Sequence, residues 1–191
     1  MASRPAAVAF TNEHFSGTGS LSNPAFEMLM LGTLGKAAGS FGAFIAGDAV
    51  YIDSLLQQAR SYIYTTALPP AVVAASRAAI HIFQTEPERR EKLNSNINYF
   101  RQAVAKLHYP TVDSKTAIQP ILLGDSKTAL QATQLLQQQG IWITAIRPPT
   151  VPDGTSRIRI TISCEHRQSD LDQLIDVLGS DAMLALAGGG Q

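Results

Sequence analysis

The sequence is poor in cysteine, in unbalanced charge and in long apolar runs. Its only thiol is Cys164, so no disulfide can form within the chain and a reducing cytoplasm is the expected location. Basic and acidic residues number 15 each, which gives no charge excess to attract a nucleic-acid backbone. No apolar run approaches the roughly 18 residues that a membrane span needs. These absences predict a soluble cytoplasmic protein that binds neither nucleic acid nor membrane.

What the sequence does contain is a lysine set among small residues, at Lys36 in the run TLGKAAGSFG of residues 33–42. Glycines allow close backbone approach to a bulky group, and desolvation by apolar neighbours favours the reactive free amine of a lysine. Lys36 is therefore a candidate for Schiff-base chemistry. Ala37 follows the lysine, where a phosphate-binding P-loop has Ser or Thr. The alternative reading is an exposed turn lysine.

This run resembles the cofactor-lysine motif of the α-oxoamine synthases, pyridoxal-phosphate enzymes that condense an amino acid with an acyl thioester. Four later segments resemble, in family order, the branch that makes 8-amino-7-oxononanoate. These segments are IYTTALPP at 63–70, AIQP at 117–120, WITAIRPPTVP at 142–152 and GTSRIRIT at 154–161. The resemblance covers roughly residues 28–180.

The resemblance implies an α/β fold: part of the large domain of a fold-type I pyridoxal-phosphate transferase, followed by a small C-terminal α/β domain. Family members are about twice as long as this chain. Their amino-terminal half carries an aspartate at the pyridine nitrogen, a histidine stacked on the ring and a glycine-rich phosphate loop. No matching Asp-x-Ala-His segment precedes Lys36. We therefore expect the chain to correspond to the C-terminal half of such an enzyme.

The resemblance also assigns roles to individual residues. Lys36 would hold pyridoxal 5'-phosphate and act as the catalytic base, and Thr33 would contact the cofactor. Thr66 would meet the cofactor phosphate of the neighbouring subunit in a homodimer, with Tyr64 near the substrate. Arg159 would bind the substrate carboxylate. From local sequence alone, Lys36 and Arg159 could be surface residues, Thr33 could be an ordinary loop threonine, and Thr66 could bond its own backbone in a turn.

The implied reaction joins L-alanine to a pimeloyl thioester, either pimeloyl-CoA or pimeloyl-acyl-carrier protein, and gives 8-amino-7-oxononanoate for biotin synthesis. Two alternatives stay open: an inactive fragment that acts only as a folded or dimerising domain, and another α-oxoamine synthase. The histidines at 81, 108 and 166 lack the spacing of metal ligands, so no metal site is expected.

The sequence pattern predicts four regions. These are an unmatched low-order segment at 1–23, a remnant of the cofactor-binding large domain at 24–87, a small α/β domain at 88–183 and a disordered tail at 184–191. The boundary rests on Pro87, which breaks a helical pattern running from about 71 to 108. Residues 24–80 should expose apolar faces that the rest of a large domain would cover.

Periodicity and capping signals predict the individual elements. Asp48 should cap a helix over 49–60, Pro70 should occupy the first turn of the next helix, and Asp125 or Ser126 should cap a helix that Gly140 ends. Ser169 should cap the last helix, over 170–178. The expected strands are a short buried one at 42–47, and others at 118–123, at 141–146 with Trp142 in the core, and around Ile158.

Overall fold

The computed structural model describes residues 29–107 and 109–188, so the segment predicted to be low in order at 1–23 lies outside the described residues. The chain divides into two compact units, Met1–Glu86 and Pro87–Gln191, here called unit 1 and unit 2.

The described residues of unit 1, 29–86, form a two-stranded antiparallel sheet and three helices. The elements are β1 (Met30–Thr33), β2 (Ala43–Ala46), α1 (Ala49–Gln58), α2 (Arg60–Ile63) and α3 (Pro70–Thr85). The register pairs Met30 with Ala46 and Thr33 with Ala43. The aromatic ring of Phe44 lies across Gly32, where an added Cβ would come within 2.5 Å of it. The cross-strand ring therefore explains why β1 carries a glycine.

Helix starts in unit 1 follow the predicted capping signals. The Asp48 carboxylate accepts a hydrogen bond from the backbone N–H of Val50 at 2.9 Å, which satisfies a donor that the first turn of α1 leaves free. Pro70 occupies the first turn of α3, where no amide donor is needed. Helix α1 ends at Gln58 rather than at residue 60, because Ala59 adopts an extended conformation.

Unit 2 places helices on a three-stranded antiparallel sheet. Its elements are α4 (Glu88–Val104), a 3₁₀ turn (Ala105–Leu107), β3 (Ile118–Gly124), α5 (Ser126–Gln138), β4 (Thr144–Ile146), β5 (Ser156–Thr161), α6 (Gln168–Leu178) and α7 (Asp181–Gly188). The strand order is β3-β5-β4, so β5 is central.

The core of unit 2 lies between this sheet and its helices. Ile158 and Ile160 of β5 are 0% and 3% exposed, and they meet buried residues from the helices such as Phe100, Leu136 and Leu178. The predicted alternation of β5 is confirmed, because its arginines occupy the opposite face of the strand.

Four predictions about these elements are wrong. The strand at 42–47 is not buried, since Ile45 is 42% exposed. Trp142 is 81% exposed and lies outside β4. Its neighbours Ile141 and Ile143 pack against the core, which leaves Trp142 on the opposite side of the chain. The other two errors concern α6 and α7.

Helix α6 begins two residues earlier than predicted, because its cap is Arg167 rather than Ser169. The Asp170 carboxylate accepts the Arg167 backbone N–H at 2.8 Å, so the capping bond runs backward from the third helical residue. The predicted disordered tail is helical as far as Gly188. Met183 is fully buried and Leu186 packs against the core, so this segment has enough apolar contact to hold a helix.

The start of α5 gives a testable cap. The Asp125 carboxylate accepts hydrogen bonds from the Thr128 hydroxyl at 2.6 Å and from the backbone N–H groups of Lys127 and Thr128. Asp125→Ala should lower the melting temperature of unit 2 by about 4 °C, because the cap bonds are lost. Circular dichroism during a thermal scan measures this. Asp125→Asn is the control and should keep most of the stability.

The pH dependence of this cap has a defined sign. The hydrogen bonds from Thr128 hold the pKa of the Asp125 carboxyl below its ordinary value. Because the pKa is depressed in the folded state, the stabilisation is present above the unfolded pKa of about 3.9 and disappears as the pH falls through the folded value. The difference in melting temperature between wild type and Asp125→Ala should therefore shrink below about pH 4. An unchanged difference in melting temperature at pH 2 would contradict this pH dependence.

A buried tyrosine gives a second stability prediction. The Tyr109 hydroxyl donates to the carbonyl of Leu178 at 2.7 Å, at the end of α6 where helix carbonyls lack helical partners. Tyr109→Phe should reduce the free energy of unfolding by about 1–2 kcal/mol, because it leaves that carbonyl unpaired. Urea titration followed by circular dichroism measures the change.

Alkaline unfolding provides the control for Tyr109. Burial raises the pKa of Tyr109 to about 12, so its contribution is full below the unfolded pKa of about 10 and is lost as the pH rises through the folded value. Wild type should lose stability over this window more steeply than Tyr109→Phe. Parallel curves for the two proteins would contradict the assignment.

Candidate functional site

Lys36 lies in the tight loop that joins β1 to β2. The loop is closed by backbone hydrogen bonds from Leu34 N–H to the Gly42 carbonyl at 2.9 Å and from Ser40 N–H to the Leu34 carbonyl at 3.0 Å. A third bond, from Gly39 N–H to the Lys36 carbonyl at 2.9 Å, forms the turn that carries the lysine. Gly39 has φ +57°, a left-handed conformation that disfavours side chains. The glycines thus give the loop its shape and place Lys36 at its tip.

The side chain of Ser40 fixes this loop against α3. Its hydroxyl lies 2.7 Å from the Ser76 hydroxyl and donates to the Val72 carbonyl at 3.3 Å. Ser76 is 8% exposed, so the hydroxyl pair is shielded from solvent. No local pattern predicts this contact, because the two serines are 36 positions apart in the chain. Both serines position the lysine loop.

The Lys36 side chain is exposed, which corrects the expectation of a desolvated amine. Its sequence neighbours are glycine and alanine, whose short side chains cannot cover a four-carbon stem. The described part of unit 1 thus presents the amine to solvent without an ion pair or hydrogen bond to its Nζ.

The other predicted unit 1 residues lie on the β1 strand and on the loop before α3. Thr33 ends β1, and Tyr64 and Thr66 lie in the loop. Tyr64 is 79% exposed, with the Arg60 guanidinium 6.0 Å from its ring centroid. Thr33 and Thr66 are exposed, and neither hydroxyl has a hydrogen-bond partner among the described residues. In contrast, the Thr65 hydroxyl donates to the Ser61 carbonyl, so only that threonine follows the backbone-bonded alternative.

Arg159 lies in unit 2, on the central strand. The register places it between Pro120 of β3 and Thr144 of β4, on the face opposite the buried isoleucines. Its side chain is exposed and makes no ion pair within the described chain. Arg157 lies two residues away on the same face, where its Nε donates to the Thr155 carbonyl at 3.0 Å. Arg159 therefore has the freer guanidinium of the two.

Two negative findings apply to the described residues. They contain no group of three or more His, Cys, Asp or Glu side chains that could hold a metal ion. They also contain no helix with the length and apolar character needed to cross a membrane.

Comparison with known proteins identifies the protein family to which the chain belongs. Residues 6–178 match the family model for class I and II aminotransferases, and the chain belongs to that family. The match confirms the predicted fold class, a part of a fold-type I transferase with mixed helices and sheets.

Individual relatives show to which enzymes the chain is similar. The 8-amino-7-oxononanoate synthase of Saccharophagus degradans is 53% identical over 150 residues, which are 78% of this chain and 38% of the relative. A solved 8-amino-7-oxononanoate synthase from Francisella tularensis matches with TM-score 0.69 and 25% identity over 80% of this chain and 44% of that one. An SPT structure solved with pyridoxal phosphate (PLP) matches with TM-score 0.76 and 26% identity over 85% of this chain and 40% of that one.

These findings confirm the resemblance to 8-amino-7-oxononanoate synthases. The chain spans about two fifths of the length of the curated relatives that it matches, 38% of the Saccharophagus protein.

Proposed function

We propose that this chain supplies the cofactor lysine and the carboxylate-binding arginine of a PLP-dependent acyltransferase. The enzyme condenses L-alanine with a pimeloyl thioester and releases carbon dioxide, the thiol and 8-amino-7-oxononanoate. The observation that carries the proposal is the Lys36 loop: a solvent-facing amine on a hydrogen-bonded, glycine-shaped turn, in a chain 53% identical to a synthase of this name.

The residues of unit 1 fit the chemistry of PLP. That cofactor presents an aldehyde, which a primary amine attacks, and a phosphate, which hydroxyl groups bind. Unit 1 offers the exposed amine of Lys36 and the exposed hydroxyls of Thr33 and Thr66, without partners among the described residues. When bound, the cofactor supplies an electron sink for the negative charge that develops at the alanine α-carbon.

Lys36 then has two tasks in this proposal. Its amine binds the cofactor, and once alanine has taken that place the same amine accepts the proton from the alanine α-carbon as a general base. The loop hydrogen bonds and the Ser40–Ser76 contact hold the backbone of the turn, so the point from which the lysine side chain extends is set before substrate arrives.

Arg159 binds the carboxylate of alanine. A guanidinium presents parallel N–H donors that match the two carboxylate oxygens, so the pair fixes orientation as well as position. Orientation matters because it selects which bond at the α-carbon breaks. Its lack of an ion pair within the described chain leaves this fork available.

The remaining assignments follow the family resemblance. We propose that Thr66 binds the cofactor phosphate of the partner subunit in a homodimer and that Tyr64 contacts the substrate. The exposure of both side chains supports contacts beyond their own unit. The acyl donor is pimeloyl-CoA or pimeloyl-acyl-carrier protein, and the proposed location is the cytoplasm.

A second candidate is an inactive domain that folds or dimerises without catalysis. The observation that favours it is the 38% coverage of the Saccharophagus relative, which leaves most of that enzyme unmatched. A different α-oxoamine synthase is less well supported, because the Saccharophagus 8-amino-7-oxononanoate synthase is 53% identical to this chain, whereas the SPT match is 26% identical.

The experiment supplies the share of the Saccharophagus synthase that the match does not cover. Co-expression with the part of the Saccharophagus synthase that precedes its own cofactor lysine should give thiol release from pimeloyl-CoA that depends on L-alanine. Replacing alanine with serine or glycine tests the alternative that the chain belongs to another α-oxoamine synthase. If no thiol is released, or if the same amount is released without alanine, the proposed activity is rejected and the inactive domain is favoured.

Arg159→Ala should raise the KM for alanine in this assembly by about a hundredfold, since truncating one partner of a hydrogen-bonded charge pair costs several kcal/mol. Arg157→Ala is the matched control, because Arg157 shares the face of β5 but already bonds a backbone carbonyl. We expect less than a threefold change for the control. Equal KM changes for the two variants would contradict the assignment of Arg159.

A further inference from the structure

We infer that Arg60 is a positioning residue whose guanidinium holds the exposed aromatic ring of Tyr64 in one orientation. The consequence for substrate binding rests on the function proposed above, in which Tyr64 contacts the substrate. Arg60 lies outside the family-like segment at 63–70, so that resemblance gives it no role.

Arg60 and Tyr64 lie at the two ends of the short helix α2. Arg60 is the first residue of the helix and Tyr64 follows its last one. Residues four positions apart in a helix lie on the same side, and a hydrogen bond from the Tyr64 backbone N–H to the Arg60 carbonyl at 3.1 Å closes this turn. The guanidinium carbon lies over the Tyr64 ring, 6.0 Å from its centroid. At about this distance a cation is attracted to the electron-rich face of an aromatic ring.

The Tyr64 ring has little else to hold it. Tyr64 is 79% exposed, and its hydroxyl has no hydrogen-bond partner among the described residues. An exposed side chain keeps its rotamer freedom unless a contact favours one rotamer. The Arg60 guanidinium supplies such a contact.

The backbone on either side of Tyr64 is already fixed. The Thr65 backbone N–H donates to the Tyr62 carbonyl at 3.3 Å, and the Thr65 hydroxyl donates to the Ser61 carbonyl. Because these bonds set where the Tyr64 side chain leaves the backbone, rotation of that side chain is the freedom that remains. The contact with Arg60 restricts this rotation.

The charge of Arg60 is available for this contact. Arg60 forms no ion pair with the described residues, whereas Arg167, for example, pairs with Asp170. A guanidinium is planar and weakly hydrated, so one that no carboxylate holds can lie on an aromatic face. The pair therefore consists of a cation without a carboxylate and a ring without another anchor.

Orientation of the ring before substrate arrives reduces the conformational entropy that binding costs. A cation–π contact at an exposed site corresponds to about a two- to fivefold preference for the contacting arrangement. Loss of the Arg60 charge should weaken substrate binding through Tyr64 by about the same factor and leave the chemical step unchanged. Arg60 thus acts through Tyr64 and does not need to touch the substrate.

The first experiment is NMR spectroscopy of the full chain alone. An aromatic ring moves the resonances of protons over its face upfield, so the side-chain protons of Arg60 should resonate upfield of their positions in Tyr64→Leu. Tyr64→Phe keeps the ring and should keep the upfield shift. Equal Arg60 chemical shifts in wild type and Tyr64→Leu would overturn the inference, because the guanidinium would then not lie over the ring in solution.

The second experiment measures the KM for alanine after assembly with the part of the Saccharophagus synthase that precedes its cofactor lysine. Arg60→Met removes the charge but keeps an unbranched side chain, and it should raise KM about two- to fivefold with kcat unchanged. Arg60→Lys keeps a cation and should restore most of the binding. Arg77→Met is the matched control, because Arg77 is an exposed arginine on α3 of the same unit. The control should have the KM of wild type.

A double-mutant cycle tests whether Arg60 acts through Tyr64. Arg60→Met should have no further effect on KM in Tyr64→Leu and its full effect in Tyr64→Phe. The inference is overturned if Arg60→Met leaves KM unchanged in the wild-type background, or if it raises KM equally in wild type and Tyr64→Leu. An assembly without alanine-dependent thiol release would reject the proposed function, and the chemical shifts of the chain alone would still decide whether Arg60 holds the ring.

Discussion

Replacing Lys36 with alanine is expected to lower the alanine-dependent thiol release of the assembled enzyme by at least about 10³-fold, because in the proposed reaction one amine both binds the cofactor and moves the proton. The absorbance that PLP gains when it bonds to a protein amine should also be absent. Lys36 is exposed at the tip of its loop, so its removal should not disturb the core.

Lys36→Arg separates charge from nucleophilicity. A guanidinium keeps the positive charge but stays protonated and cannot attack an aldehyde, so this variant should be as inactive as Lys36→Ala. Activity within tenfold of wild type in either variant would show that another residue holds the cofactor.

The second large effect is on stability. Phe100→Ala should reduce the free energy of unfolding of unit 2 by about 3–5 kcal/mol, because the change removes a large buried side chain and leaves a cavity. Phe100 is 2% exposed and belongs to the cluster that joins α4 to the sheet. Domains are stable by about 5–15 kcal/mol, so the loss is a large fraction of the total. Urea titration followed by circular dichroism measures it.

Leu130→Ala is the control for Phe100. Leu130 is 41% exposed on α5, and substitutions at exposed sites usually change stability by less than about 0.5 kcal/mol. Similar losses for the two variants would mean that the core of unit 2 is not where the structure places it.

Much of unit 2 could be predicted from sequence because its signals are local. The alternation around Ile158 has the period of a strand, and Asp125 and Gly140 carry the chemistry of a helix start and end. These residues determine structure through contacts a few positions away, so a single sequence contains enough information.

The errors arose where tertiary contacts decide. Trp142 is a large apolar residue in a segment predicted to be a strand, which favours a position in the core. The side chains of Ile141 and Ile143 point into the core instead, so Trp142 points outward. The segment after residue 184 looks like a glycine-rich tail, yet burial of Met183 anchors a helix there. Neither outcome depends on the local composition that sequence reasoning used.

The candidate site also has features that a local sequence pattern indicates and features that only tertiary contacts determine. Lys36 could be proposed because its glycine-rich loop resembles a family pattern, and the relatives support the resemblance of the chain to that family. The roles of Lys36, Thr33, Tyr64, Thr66 and Arg159 stay predictions. The contact between Ser40 and Ser76 joins residues 36 positions apart, so no local pattern could indicate it.

The central claim is that Lys36 is the residue that bonds the cofactor. The direct measurement adds PLP to this chain assembled with the amino-terminal part of the Saccharophagus synthase, reduces with borohydride and maps the modified peptide by mass spectrometry. We expect a single stoichiometric adduct on Lys36. Modification spread equally over Lys92, Lys106, Lys115 and Lys127, or no adduct on Lys36, would contradict it.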